Sequence, residues 1–107
     1  MKDRELLELA AKAAGLTLET LYDINGEYWP WCHEYSRNWC PLTDDGDALR
    51  LAVKLRLQVT PGTYWPNSTS AYRSGAAEAI ERDVEDIYAA TRRSIVRAAA
   101  EIGKGMK

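Results

Sequence analysis

The sequence predicts an α+β fold in which three helices pack on a small, mostly antiparallel sheet, an αβα sandwich. Three observations carry this expectation. Apolar residues recur every three or four positions in three separate stretches, and short β-favouring runs between them end in Asn-Gly and Pro-Gly turn signals. The elements also follow no strict strand-helix-strand repeat. At 107 residues the chain reads as one domain, 1–107, long enough for a core that buries roughly two thirds of the unfolded surface and too short for two.

The first helix follows Asp3, read as its N-cap, and ends at Gly15, which suits the left-handed C′ position with Leu16 folding back as the apolar partner. Leu6, Leu9, Ala10 and Ala13 share one face, expected to be core. "LTLETLYDI", Leu16 to Ile24, reads as a strand that ends at the turn Asn25-Gly26. Pro30 and Pro41 then bracket Trp29 to Cys40. Each disfavours helix in the residue before it, so this segment is expected to be irregular or an edge strand.

A second helix runs from about Asp44 to Leu55, capped by Thr43 or Asp44, with Asp45 and Asp47 complementing its positive end. Ala48, Leu49, Ala52, Val53 and Leu55 form its expected buried side, and Arg50, Lys54 and Arg56 its wet one. "RLQVTPGTYWP" reads as a strand broken at Pro61-Gly62 and then resumed. Two further strands are expected around Ser70 to Arg73 and Glu78 to Asp83. Asp86 caps the last helix, which runs to about Gly103. Tyr88, Thr91, Ile95, Ala98, Ala99 and Ile102 face inward, with Arg92, Arg93 and Arg97 near or on the opposite side.

The formal charge of −2 is unevenly spread. From Leu16 to Asp47 there are seven acids against one base, Arg37, whereas the stretch after Ile87 holds five bases and one acid. Such a dipolar chain argues against general nucleic-acid binding, which wants a basic excess over a whole face. No apolar run comes near the ~20 residues of a membrane span, so no membrane partner is expected. The opening "MKDRELLELAAKAAG" lacks the apolar stretch of a secretion signal, and the expected location is the cytoplasm, where the cysteines stay reduced.

The stretch "WPWCHEYSRNWC", Trp29 to Cys40, holds three tryptophans, both cysteines and the only histidine. Structural zinc wants four ligands in two close pairs, and beyond Cys32, His33 and Cys40 the chain offers no further Cys or His, so no metal or other cofactor is expected. A Cys32 to Cys40 disulfide is possible only if the segment doubles back. "TDDGD" does not continue as a calcium loop and is explained by helix capping. Phosphate-loop, nucleophile-elbow, zinc-protease and dinucleotide-binding motifs are all missing from the sequence. An enzyme is the minority reading, with His33 and neighbouring carboxylates as its only acid-base group.

Ten Trp and Tyr residues with no Phe mean that every aromatic ring carries a polar handle, and six of the ten lie between Tyr22 and Trp39. Such rings suit surfaces that are half dry and half wet, and the competing explanation is that some merely roof a thin core. Rings with guanidinium groups nearby can hold a nucleobase by stacking and a phosphate by bidentate hydrogen bonds.

The runs "RELLELAAKAAG" (Arg4 to Gly15), "NWCPLTDDGDALRLAVKL" (Asn38 to Leu55) and "YAATRRSIVRAAAEIGK" (Tyr88 to Lys104) resemble, in order, three blocks of the phage ABA-sandwich domain, a family of small bacteriophage proteins. The resemblance implies helices sandwiching a small sheet and a phage origin, and it brings no activity or catalytic residues. Cys40 stands where the family has Asn and Ile87 where it often has proline. The aromatic insert and the stretch Thr60 to Glu85 match nothing in the family.

Two functional expectations follow. The first is a counter-defence binding protein of the infected bacterial cytoplasm. It would sequester a nucleotide-derived signalling molecule between Tyr28, Trp29, Trp31, His33, Tyr35 and Trp39 and the arginines Arg73, Arg92, Arg93 and Arg97, at a homo-oligomer interface. The second is an inhibitor or accessory factor that docks its Trp/Tyr-rich face on a host protein.

Overall fold

The computed structural model describes residues 2–61, 68–73, 75, 77–82 and 85–106. In chain order the elements are α1 (Asp3–Ala14), β1 (Leu18–Tyr22), β2 (Tyr28–Cys32), β3 (Arg37–Asn38), α2 (Asp45–Leu55), β4 (Gln58–Pro61), β5 (Thr69–Arg73), β6 (Ala77–Glu81) and α3 (Ile87–Lys104). The class is α+β, as the periodicity implies. The antiparallel strands fall into two three-stranded sheets, ordered β1-β2-β3 and β4-β5-β6, where a single sheet was expected.

Helix α3 is central, packing on α1, on α2 and on the β4–β6 sheet. At its crossing with α1 the backbones nearly touch: a Cβ placed on Gly103 would lie 2.1 Å from the Leu9 carbonyl oxygen. Glycine there, with the buried alanines Ala10, Ala99 and Ala100, permits this approach. Because α3 is covered on several sides, Ser94, Val96 and Ala100 are buried in addition to Ile95, Ala98 and Ala99. Asp86 Oδ1 accepts the Tyr88 and Ala89 amides at 3.0 and 3.2 Å, the expected cap.

Helix α1 differs at its start. Its N-cap is Lys2, which makes no side-chain cap bond, and Asp3 is the first helical residue, its carboxylate accepting Arg93 Nη1 at 3.1 Å. Its end is as expected: Gly15 has φ 71°, its amide reaches Lys12 O, and buried Leu16 donates to Ala11 O at 2.9 Å. The buried set is Leu6, Leu7, Ala10, Ala11 and Ala14, a stripe turned from the expected one, with Leu9 and Ala13 only partly covered. The turn has a cause: α1 packs on α3 along one side while Ala11 faces Leu18 and Tyr28 of the first sheet.

Helix α2 is capped by Asp44, whose Oδ2 accepts the Asp47 amide at 2.8 Å. Its inward stripe is Ala48, Leu51, Ala52 and Leu55 at i, i+3, i+4 and i+7. Leu49 and Val53, expected in the core, are 64% and 68% exposed. Helices α3 and α1 supply its helical neighbours, so the covered stripe is narrow and residues one step round the helix fall outside it. Tyr88, expected to face inward, is 71% exposed and lies over the groove between α2 and α3.

The strands expected near 70–73 and 78–83 are β5 and β6, joined through Gly75 at φ 77°, with β4 adding the third strand that stabilises the pair. Ala71 and Ala79 face each other across the ladder and are buried. The expected resumption of the strand after Gly62 lies outside the described residues. Among the described residues no helix is long and apolar enough to cross a membrane.

Candidate functional site

The first part of the segment read as irregular or edge, Trp29 to Cys32, instead belongs to β2, the middle strand of its sheet, while the rest is the turn 33–36 and the short edge strand β3. Pro30 is tolerated there for a geometric reason. Trp29 and Trp31 pair with Leu21 and Glu19 and turn their backbone groups toward β1, so those of Pro30 point toward β3. On that side the ladder holds only Trp31↔Asn38 and Cys32↔Arg37, and Pro30 contributes its carbonyl, which accepts the Trp39 amide at 2.9 Å. The missing N–H falls where the short ladder ends.

The period of two then sorts the aromatic stretch. Tyr28, Pro30 and Cys32 face inward, where Pro30 and Cys32 are buried and Tyr28 half-buried, while Trp29 and Trp31 stand on the outer face beside Leu21 and Glu19. Trp29 is 44% exposed yet anchored, its Nε1 donating to Asp23 Oδ2 at 3.1 Å. The same aspartate organises the β1–β2 turn, its Oδ1 accepting the Asn25 and Glu27 amides at 2.8 and 2.9 Å. The Glu27 amide foremost, then the indole, hold the Asp23 carboxyl below its ordinary pKa. His33 continues the outer face, with Nε2 3.3 Å from Glu19 Oε2.

The other expected site residues go elsewhere. Trp39 is 1% exposed and packs in the core, where it also lines a groove with Tyr28 and Trp29. Tyr28 lies under the sheet with the Arg4 guanidinium 5.4 Å from its ring centre and the Tyr22 ring 6.1 Å away, and burial raises its pKa. Tyr35 has Arg37 at 5.5 Å over its ring. The four arginines brace the scaffold. Arg73 donates to Leu55 O, and Arg92 to Leu42 O and, at 2.6 Å, to Asp45. Arg93 pairs with Asp3, and Arg97 with Ile80 O and Glu81. The structure brings Trp29, Trp31 and His33 onto one face and leaves Arg92, Arg93 and Arg97 cross-linking α3 to its neighbours.

A groove of 360 Å³ between this sheet and the start of α2 is lined by three of the expected residues, Tyr28, Trp29 and Trp39, and by Arg37, Asn38, Asp44 and Asp47, which sequence reasoning did not join to them. Buried Asp47 accepts Arg37 Nη2 at 2.6 Å, Arg50 Nη2 at 2.9 Å and the Cys40 amide at 3.0 Å. Burial pushes its pKa upward, but the three donors outweigh it and hold the carboxyl below the ordinary value. The available signal was that Asp47 is the fourth acid-or-glycine position of "DDGD", one more than capping requires.

Cys32 and His33, neighbours on β2, diverge: the thiol is buried while the imidazole is exposed against Glu19. Both cysteines are free. Cys32 pairs with Arg37, so Cys40 lies three residues further along, roughly 10 Å at about 3.3 Å per residue. That exceeds the ~7 Å Cα span of a disulfide. Glu34 closes the turn after β2, accepting the Thr17 amide at 2.7 Å and the Thr17 hydroxyl at 3.0 Å. Chiefly through the Thr17 amide, its pKa is lowered to about 2.

A comparison of the chain with family models, with curated proteins and with solved structures finds no match.

Proposed function

We propose that the protein is a non-enzymatic binding protein that docks on a protein partner through the outer face of β1–β2–β3, with Trp29 and Trp31 as anchors. The observation that carries this reading is Trp29 itself, a large ring left 44% exposed while its polar edge is fixed by Asp23. A ring immobilised beforehand loses little entropy on binding, and buried Trp anchors dominate interface energetics. Leu21 extends the apolar surface, while Glu19 and His33 supply a polar rim.

Of the two expected partners, this arrangement favours a protein over a nucleotide. Arg92, Arg93 and Arg97 are engaged by Asp45, Asp3 and Glu81, which leaves Arg37 as the guanidinium of the groove. Arg37 is held by Asp47, and Glu27 and Asp44 line the same groove, a setting that repels phosphate. The likeness of three sequence blocks to phage ABA-sandwich proteins supports a phage accessory role, with a bacterial host protein as target and the infected cytoplasm as location.

Affinity capture from host lysate with the wild-type chain and with the Trp29→Ala, Trp31→Ala double variant tests the reading. One stoichiometric protein recovered by the wild type and lost with the double variant is the expected result. Equal recovery by both, or micromolar binding of a nucleotide in calorimetry with no protein captured, overturns it.

A further inference from the structure

We propose that a second copy of this chain pairs with the free edge of β1, antiparallel about a two-fold axis through Thr20, so that the two β1–β2–β3 sheets join into one. Glu19 and Leu21 pair with Trp31 and Trp29 and turn their backbone groups toward β2. Thr17 and Asp23 do the same at the two ends, where Thr17 O accepts the His33 amide at 3.0 Å and the Asp23 amide donates to Glu27 O at 2.9 Å. Leu18, Thr20 and Tyr22 therefore turn their backbone groups away from the sheet. Among the described residues no hydrogen bond reaches these groups, and every residue from Glu19 to Tyr22 is exposed.

The other sheet edges are blunted. Strand β3 is two residues long, β4 ends in Pro61, which has no donor, and Arg97 Nη1 donates to the Ile80 carbonyl of β6 at 3.2 Å. Strand β1 carries no proline and no lysine, and its register with β2 is unbroken. It offers a template for another strand.

The residues of β1 say which strand fits. Antiparallel pairing on the outward groups sets Thr20 against Thr20 of the copy and Leu18 against Tyr22, each pair exchanging both N–H···O bonds. A Thr–Thr pair is a favourable cross-strand neighbour, the Leu18–Tyr22 pairs are apolar on both sides, and Glu19 meets Leu21 between them. Charge fixes this register. Sliding the copy by two residues one way sets Glu19 against Glu19, and the other way sets Glu19 against Asp23, like charges directly opposite in both cases. A slide of one residue faces bonding groups with groups turned away. Backbone bonds over five residues make a small interface, so the dimer is weak, forming in the micromolar range. The outer faces of the two copies, with Trp29 and Trp31, then run on as one surface, and the pairing does not depend on what that surface binds.

The test is the native mass of the full chain by sedimentation, with circular dichroism as a check on folding. At roughly 200 μM, well above a micromolar dissociation constant, the wild type runs at twice 12.0 kDa. Thr20→Pro removes only an outward N–H, which an edge strand tolerates, and weakens association by about 30-fold. Leu21→Lys, placed opposite Glu19 of the copy, strengthens it by about fivefold, and Leu21→Glu weakens it by about as much. Thr20→Cys forms a disulfide between copies on mild oxidation, since a hydrogen-bonded pair brings the two Cα atoms to about 5.5 Å, whereas Tyr22→Cys, set four residues from its counterpart, does not. The crosslink decides the matter even where Thr20→Pro fails to fold. A wild type that stays at 12.0 kDa overturns the proposal, whether its edge stays bare or takes a foreign strand. So does a dimer in which Leu21→Lys and Leu21→Glu act alike, or in which Thr20→Cys crosslinks no better than Tyr22→Cys.

Discussion

The Arg37 guanidinium donates to Asp47 at 2.6 Å, tying strand β3 to the first turn of α2 across a carboxylate that is otherwise enclosed. The pair is asymmetric, because Arg37 is half in water and Asp47 is not. Asp47→Ala strands the Cys40 amide and removes the partner of Arg37 and Arg50, and is expected to destabilise by about 2 kcal/mol. Arg37→Ala, which leaves Asp47 with two donors, is expected to remove less than about 1 kcal/mol. Urea unfolding of both variants measures the order, and equal losses would contradict the role given to Asp47.

Acid should act on the same region. Glu34 and Asp47 both have folded pKa values below their unfolded ones, 4.5 and 3.8. Their contribution is therefore complete above those values and is lost as pH falls, for Glu34 from 4.5 to about 2. The stability difference between wild type and Glu34→Gln should be constant near neutrality and should close between these limits. A difference that persists at pH 2 would mean that Glu34 acts through packing and not charge.

Gly103→Ala sets two effects against each other. Helix propensity alone predicts a gain of about 1 kcal/mol. The added methyl, however, would sit 2.1 Å from the Leu9 carbonyl, and the backbone on both sides cannot yield cheaply. The expected net loss is about 3 kcal/mol, a fall in Tm on the order of 10 °C. A variant with raised Tm would show that α1 and α3 are not so closely apposed.

The thiols should behave as two unlinked groups. Cys40 is partly exposed and Cys32 is buried, so a thiol reagent should titrate one group promptly and the second only as the chain unfolds. Mild oxidation should yield no intramolecular bridge, which peptide mapping checks.

The helices were legible in the sequence because their signals are local. Asp44, Asp86 and Gly15 act within a turn of themselves, and their roles in the structure are those their spacing implies. How far the covered side of each helix extends was only partly legible, because that depends on neighbours: Leu6, Ala10, Ala48, Ala52, Ile95 and Ala98 are buried as expected, and Leu49, Val53 and Tyr88 are not. Leu49 and Val53 satisfy the helical period as well as Leu51 does, and the packing of α3 and α1 decides between them. Pro30 was read as an edge marker because proline lacks a donor; the side toward which that donor would point is set by a register no single strand contains. The aromatic stretch was readable as unusual but not as divided. Alternation separates Trp29 and Trp31 from Tyr28 only once the segment is known to be a strand. The arginines of α3 looked free because their partners Asp3, Asp45 and Glu81 lie far along the chain.

Among the described residues each strand pairs only with its immediate successor or predecessor, whereas the tightest helix crossing joins α1 to α3. During synthesis both meanders can close early, each from contacts a few residues apart. The seam between α1 and α3 cannot form until Gly103 has left the ribosome, so a nascent chain stalled before that point would hold finished hairpins around an open interior and present its alanine-lined helix faces to chaperones.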